Sequence, residues 1–281
     1  MGACKYCGER KAIKNSHIIP SFVYKWLKET SPTGFIRATD QPNRRKQDGL
    51  KSALLCEECE KSFSEVESLF KKDLFIKLAN YRTPCPNERQ ITDSIIRCLY
   101  IIAWRVLADT YYFPRSHQYT DDEFARFPEF LNKIKKSIEL LEFKDFQTHL
   151  IPCTREVLER LNLPKVEWFF YDRAIGAEVR IWDDWERFII FIKIPSAIII
   201  FEIVQNEKDI WSGTQIENSN KLFLEDITMV PSYVSTQIEY FYDHFLKSKQ
   251  QITDNQMKKI LEGIQNAAPN CGSFQTMRKE W

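Results

Sequence analysis

Cys4-Lys5-Tyr6-Cys7-Gly8 and Leu54-Leu55-Cys56-Glu57-Glu58-Cys59 place two Cys-x-x-Cys units, with 48 residues between Cys7 and Cys56, near the start of a 281-residue chain. Zn²⁺ takes thiolates tetrahedrally, and one tight knuckle turn supplies two of them. Gly8 follows the second thiol of the first unit, where a knuckle commonly needs a positive φ. The second unit opens a predicted helix, whose N-terminal dipole favours thiolates. The gap exceeds the common zinc-ribbon spacing and points to a treble clef carrying an insertion. A redox pair would sit in a thioredoxin-like βαβ pattern, which this sequence lacks. Cys4, Cys7, Cys56 and Cys59 are therefore read as the ligands of one structural zinc.

Between the pairs lie Ser16-His17-Ile18-Ile19-Pro20, an amphipathic stretch at 22–27 capped by Ser21, and a loop at 31–49 punctuated by proline and glycine. Arg44-Arg45-Lys46 closes that loop. From Glu57 the spacing predicts a helix with Phe63, Val66, Phe70, Leu74 and Leu78 toward a core, and Glu60, Ser64 and Glu67 on another face. Pro84-Cys85-Pro86-Asn87 is a break, so residues 1–80 are read as a zinc-binding module and 81–281 as a body. In the body, helices are expected over about 92–162, the first capped by Thr92 and a short one by Thr154. Strands are expected at 166–171, 178–182, 187–194 and 197–204 as an antiparallel meander, with 222–227 as an addition, and then helices over about 232–265. The expected fold is α+β: a small zinc-bound treble-clef (ββα-like) module, a helical segment, a β meander and C-terminal helices.

Composition narrows the partners. Net charge is +1, yet residues 1–55 carry 11 Lys/Arg against 4 Asp/Glu, so one surface of an otherwise neutral molecule is suited to a polyanion. The longest apolar run, 188–204, is interrupted by Lys193, Pro195 and Glu202, which argues against a membrane span. Met1-Gly2-Ala3-Cys4-Lys5 has no apolar leader, so a cytoplasmic chain with reduced thiols is expected.

Cys-x-x-Cys, then Ser-His-Ile-Ile-Pro, then Leu-Leu-Cys-x-x-Cys entering a helix resembles the HNH endonuclease superfamily, and more narrowly bacterial proteins with an SHIIP-type HNH-like N-terminus. The resemblance covers about residues 1–75. It implies a metal-dependent nuclease that hydrolyses phosphodiester bonds, DNA rather than RNA, in a setting such as bacterial anti-phage defence. His17 falls on the position of the base that deprotonates the attacking water, and its ordinary titration range suits that work. Ser16 stands where the family has an acidic residue, and Asp48-Gly49-Leu50-Lys51 where the middle Asn is expected. Glu60 stands where the final helix carries His or Asn; as a carboxylate it suits a catalytic Mg²⁺ or Mn²⁺, with Glu67 two turns further along. Arg44, Arg45, Lys46 and Lys51 are candidate phosphate contacts, with Arg37 as an extension. The alternative is a catalytically inactive, zinc-stabilised module that binds nucleic acid or protein. His117, His149 and His244 show no spacing that suggests a site, and Asp183, Asp184 and Glu186 read as an exposed turn.

Overall fold

A computed structural model describes residues 2–9, 13–115, 119–182, 185–217, 220–268 and 271–281; His117, Asp183 and Asp184 lie outside the described residues. Strand β1 (Ile13–His17) pairs antiparallel with β4 (Lys51–Cys56), placing Ser16 opposite Ser52 and His17 opposite Lys51. The chain between them forms α1 (Ser21–Glu29) and a hairpin of β2 (Ile36–Ala38) and β3 (Gln41–Lys46). The segment expected as a loop is thus partly strand, and Arg44-Arg45-Lys46 ends β3. Helix α1 is preceded by Pro20 at its cap, so Ser21 is the first helical residue and not the cap. From Cys56 the chain turns directly into α2 (Glu57–Phe70), giving a β1–β4–α2 unit. Helix α2 continues through a π-helical turn, Lys71–Phe75, into α3 (Ile76–Leu78).

After β5 (Glu88–Gln90), α4 (Asp93–Tyr112) is capped by the Thr92 hydroxyl, which accepts from the Ile95 N–H. Apolar side chains are buried on every side of α4, the mark of a central helix. It packs on α2, where Trp104 meets Phe63 and Tyr6 edge to face, and on α5 (Asp121–Leu140), which starts with a Thr120–Glu123 capping box.

A four-stranded antiparallel sheet follows, in the order β6 (Gln147–Pro152), β9 (Ala197–Val204), β8 (Arg187–Ile194), β7 (Gly176–Trp182). The short helix α6 (Arg155–Arg160), capped by Thr154, leads to α7 (Trp168–Arg173). Two expectations fail here. The stretch 166–171 is not a strand and from Trp168 belongs to α7, and the sheet's remaining place is taken by β6, inside the segment expected to be helical. Short apolar runs do not distinguish the two states by periodicity, and β6 is an edge strand of the sheet, bridged on its outer side only around His149 by residues 214–216, so Pro152 at its end is tolerated. Strands β8 and β9 are buried on both faces, which is why they read as nearly continuous Ile and Phe. Phe188 packs on Phe127 and Phe130 of α5, and Phe191 on Phe241 of α8 (Tyr233–Gln250).

Of the 222–227 expectation, β10 (Lys221–Phe223) forms and pairs with β5, and a 3₁₀ turn follows. Helices α9 (Asp254–Gln265) and α10 (Gly272–Met277) complete the described chain. Buried side chains form one cluster that runs from Cys4 to Ile238, so the first 80 residues and the rest share a core. No helix among the described residues is long and apolar enough to cross a membrane.

Candidate metal centre and active-site groove

The turn at Cys4–Cys7 closes with the Gly8 N–H bonded to the Cys4 carbonyl at 2.9 Å, and Gly8 has φ +79°. It lies against the β4–α2 junction, where the Cys56 N–H donates to Cys4 Sγ at 3.3 Å. One Sγ from each of Cys4, Cys7, Cys56 and Cys59 lies within 4.8 Å of the others. The donor set fits a soft or borderline cation. Burial pushes the Cys4 thiol up, but N–H donors from Cys7, Cys56 and Tyr6 outweigh it and leave the thiol at about 7. Burial and then the neighbouring sulfurs push Cys59 far above its usual range. Four thiolates this close repel one another unless a cation sits between them.

On the β1–β4–α2 unit a second feature opens, a groove of about 390 Å³ lined by His17, Glu60, Ser64, Glu67 and Arg105 among others. His17, the last residue of β1, faces it, while Ser16 faces the opposite side of the strand and is fully buried, its hydroxyl without a partner among the described residues. Adjacent strand residues point to opposite faces, so Ser16 is directed away from the groove.

His17 Nε2 lies 2.7 Å from Asp48 Oδ1, and Asp48 Oδ2 lies 2.5 Å from Lys51 Nζ. Burial alone would raise the Asp48 carboxyl; Lys51, His17 and the Gly49 N–H hold it down at about 2. Gly49 is needed beside it, because a Cβ there would come within 1.9 Å of the Tyr24 ring, the ring on which His17 stacks at 6.0 Å.

The opposite wall is electrostatically closed. Arg105, 1% exposed in the middle of α4, forms an ion pair with Glu67 and reaches Glu60 at 3.5 Å. Burial lifts the Glu67 carboxyl above its usual range, against the pull of Arg105. The thiol cluster is the one group of three or more His, Cys, Asp or Glu side chains placed to hold an ion among the described residues.

No family model, curated protein or solved structure matches the chain.

The candidate phosphate contacts are divided. Lys51 joins His17 through Asp48, whereas Arg44 and Arg45 face solvent on β3, Arg45 stacked over Phe35 at 4.9 Å. Lys46 pairs with Asp40 at 3.8 Å, and Arg37 donates to the Pro42 carbonyl and to Gln256. None of Arg37, Arg44, Arg45 and Lys46 lines the His17 groove. Two residues of the site were not singled out by sequence reasoning. Arg105, in the groove, carried a signal, a charge inside an otherwise apolar helical run; Asp48, which holds His17, lies in the stretch where the middle Asn was expected, but its contact with His17 is set by the fold of the insertion.

His149 and His244 take no part in the groove. His149 is fully buried against Trp211 and Thr214, and His244 bonds the Tyr240 carbonyl.

Proposed function

We propose that residues 1–80 form an HNH-like treble-clef module whose thiol cluster holds a structural Zn²⁺, and that the adjoining groove hydrolyses phosphodiester bonds in nucleic acid, DNA rather than RNA, in the cytoplasm. The observation that carries this reading is the meeting of His17, held by Asp48, with Glu60 in one groove of the β1–β4–α2 unit. Asp48 accepts at Nε2, and His17 Nδ1 has no hydrogen-bond partner among the described residues. With the Nε2 proton held by the carboxylate, Nδ1 is the ring atom available to take a proton from water. Lys51, on the far side of Asp48, keeps that carboxylate ionised.

Glu60 is the candidate ligand for Mg²⁺ or Mn²⁺, which in such a site neutralises charge developing on the phosphate. The groove does not present a ready ligand set for that ion, since Glu60 and Glu67 both face Arg105. This favours a second reading: a module that keeps the fold, is inactive, and binds nucleic acid or a protein, its carboxylates neutralised by a guanidinium.

Cleavage of plasmid DNA and of RNA, with Mg²⁺ or Mn²⁺ added, tests the two. His17→Ala is expected to lower cleavage by about two to four orders of magnitude, the usual cost of losing a general base, with zinc content unchanged. A wild-type protein that cleaves neither substrate, or a His17→Ala variant that cleaves normally, leaves the binding module as the function. A setting in bacterial anti-phage defence suits either reading.

A further inference from the structure

On the other side of Asp48 and Lys51 from the His17 groove, the β2–β3 hairpin, α7 and α9 surround a cavity of about 1460 Å³. That exceeds the roughly 300–1,000 Å³ of ordinary small-molecule sites. Polar ties hold its frame. The Asn43 side chain bonds the Gln251 carbonyl and the Thr253 N–H, both at 2.8 Å, and Lys249 bonds Glu167 at 2.8 Å.

Two features of the wall are incompletely matched by the protein around them. The first is α9. Met257, Ile260, Leu261 and Ile264 fall at i, i+3, i+4 and i+7, all line the cavity, and no residue of α9 is buried. An amphipathic helix holds its place by covering its apolar stripe, and here the stripe faces the cavity.

The second is Arg173 of α7, which lines the same cavity and is 5% exposed. It donates to Thr30 Oγ1 at 3.1 Å and to the Leu27 carbonyl at 2.8 Å, and no carboxylate lies within ion-pair distance among the described residues. Several other cations of the cavity are matched: Lys249 by Glu167, Lys279 by Asp172, Arg115 by Asp109. A buried guanidinium without a carboxylate is costly, and the Trp26 and Phe169 rings, at 5.3 and 5.8 Å, offset part of that cost. Burial pushes Arg173 down to about 10, and its remaining donors have no protein acceptor among the described residues. Arg37 also lines the cavity without a carboxylate partner.

We propose that this cavity binds a small organic anion, whose carboxylate or phosphate bonds Arg173 and whose apolar body lies along the exposed stripe of α9. Asp48 and Lys51, which hold His17, also line this cavity, but the proposed contacts, Arg173 and the stripe of α9, include neither of them nor His17 or Glu60.

Titration of the full-length protein by calorimetry, with decanoate, decanol and AMP in turn, tests the assignment. At least one of the two anions is expected to bind, and decanoate at least tenfold more tightly than decanol if the carboxylate is the recognised group. Decanoate binding identifies a fatty-acid-like source, and AMP binding with no decanoate binding a nucleotide. Arg173→Met should weaken the bound anion about ten- to a hundredfold, the scale of a charge-assisted hydrogen bond. Ile260→Trp, which fills the cavity and leaves Arg173 in place, should weaken it similarly and serves alone if Arg173→Met does not fold. Binding of neither anion, equal binding of decanoate and decanol without AMP binding, or an affinity unchanged by Ile260→Trp overturns the proposal.

Discussion

Asp48 Oδ1 lies 2.7 Å from His17 Nε2, although the two residues are 31 positions apart and separated by α1 and the β2–β3 hairpin. The insertion between the cysteine pairs therefore returns to the end of β1 and orients the imidazole. Its carboxylate is held from the other side by Lys51, the register partner of His17 across the β1–β4 pair.

That arrangement gives a pH signature. The folded-state value of Asp48, about 2, is below its unfolded value of about 3.9. Its contribution to stability is therefore complete above about pH 4 and is lost as pH falls through the folded value. Asp48→Asn should melt at a lower temperature than wild type at pH 7. The difference between the two, rather than either melting temperature, should shrink as pH falls from 4 toward 2. A constant difference across that range would show that the carboxylate's charge is not what stabilises the site.

The thiol cluster predicts a metal content. Purified protein should carry about one tightly held Zn²⁺ per chain, measured by elemental analysis. Cys56→Ser should lose the ion and unfold the β1–β4–α2 unit, since binding and folding are coupled at such sites. A disulfide between any two of Cys4, Cys7, Cys56 and Cys59 in the purified protein would contradict the assignment.

Arg105 and Glu67 are both almost fully buried. Arg105→Met alone should destabilise the protein by roughly 3–5 kcal/mol, because Glu67 is left as an unpaired buried carboxylate. Adding Glu67→Gln should recover most of the loss. Burial already holds Glu67 above its ordinary range, so removing Arg105 raises it further and proton uptake relieves the charge. The defect of Arg105→Met in denaturant melts should accordingly lessen between pH 7 and pH 5.

The end of β3 tests the polyanion surface. Replacing Arg44, Arg45 and Lys46 with serine should weaken nucleic-acid binding evenly across sequences. It should also flatten the dependence of log K on log salt by about 0.9 for each duplex-DNA phosphate that is no longer neutralised. An unaltered slope would mean that other residues hold the phosphates.

Much of the architecture was legible because it is local. The cap residues Thr92 and Thr154, the glycine after Cys7 and the helix opening at Glu57 each depend on neighbours within a few positions. The strand-rich stretch at 187–204 declared itself because strands buried on both faces admit little except Ile, Val and Phe. Residues 166–171 misled because Trp168, Phe169 and Phe170 suit a short helix or a strand equally, and packing chose the helix. Strand β6 was hidden because its pairing with β9 spans about fifty residues, a pairing no local pattern encodes.

The sequence by itself determined the grouping of the four thiols, since it follows from spacing and from the geometry of short turns, and it singled out His17 between them. Tertiary structure alone decided what surrounds that histidine. Asp48 arrives through the fold of an insertion, and Arg105 arrives on a helix whose periodicity says only that it is buried, not which helix it packs against. Burial and charge pairing are properties of the assembled core. An arginine that reads as an interruption in an apolar run becomes, once α4 lies on α2, the charge that occupies two groove carboxylates.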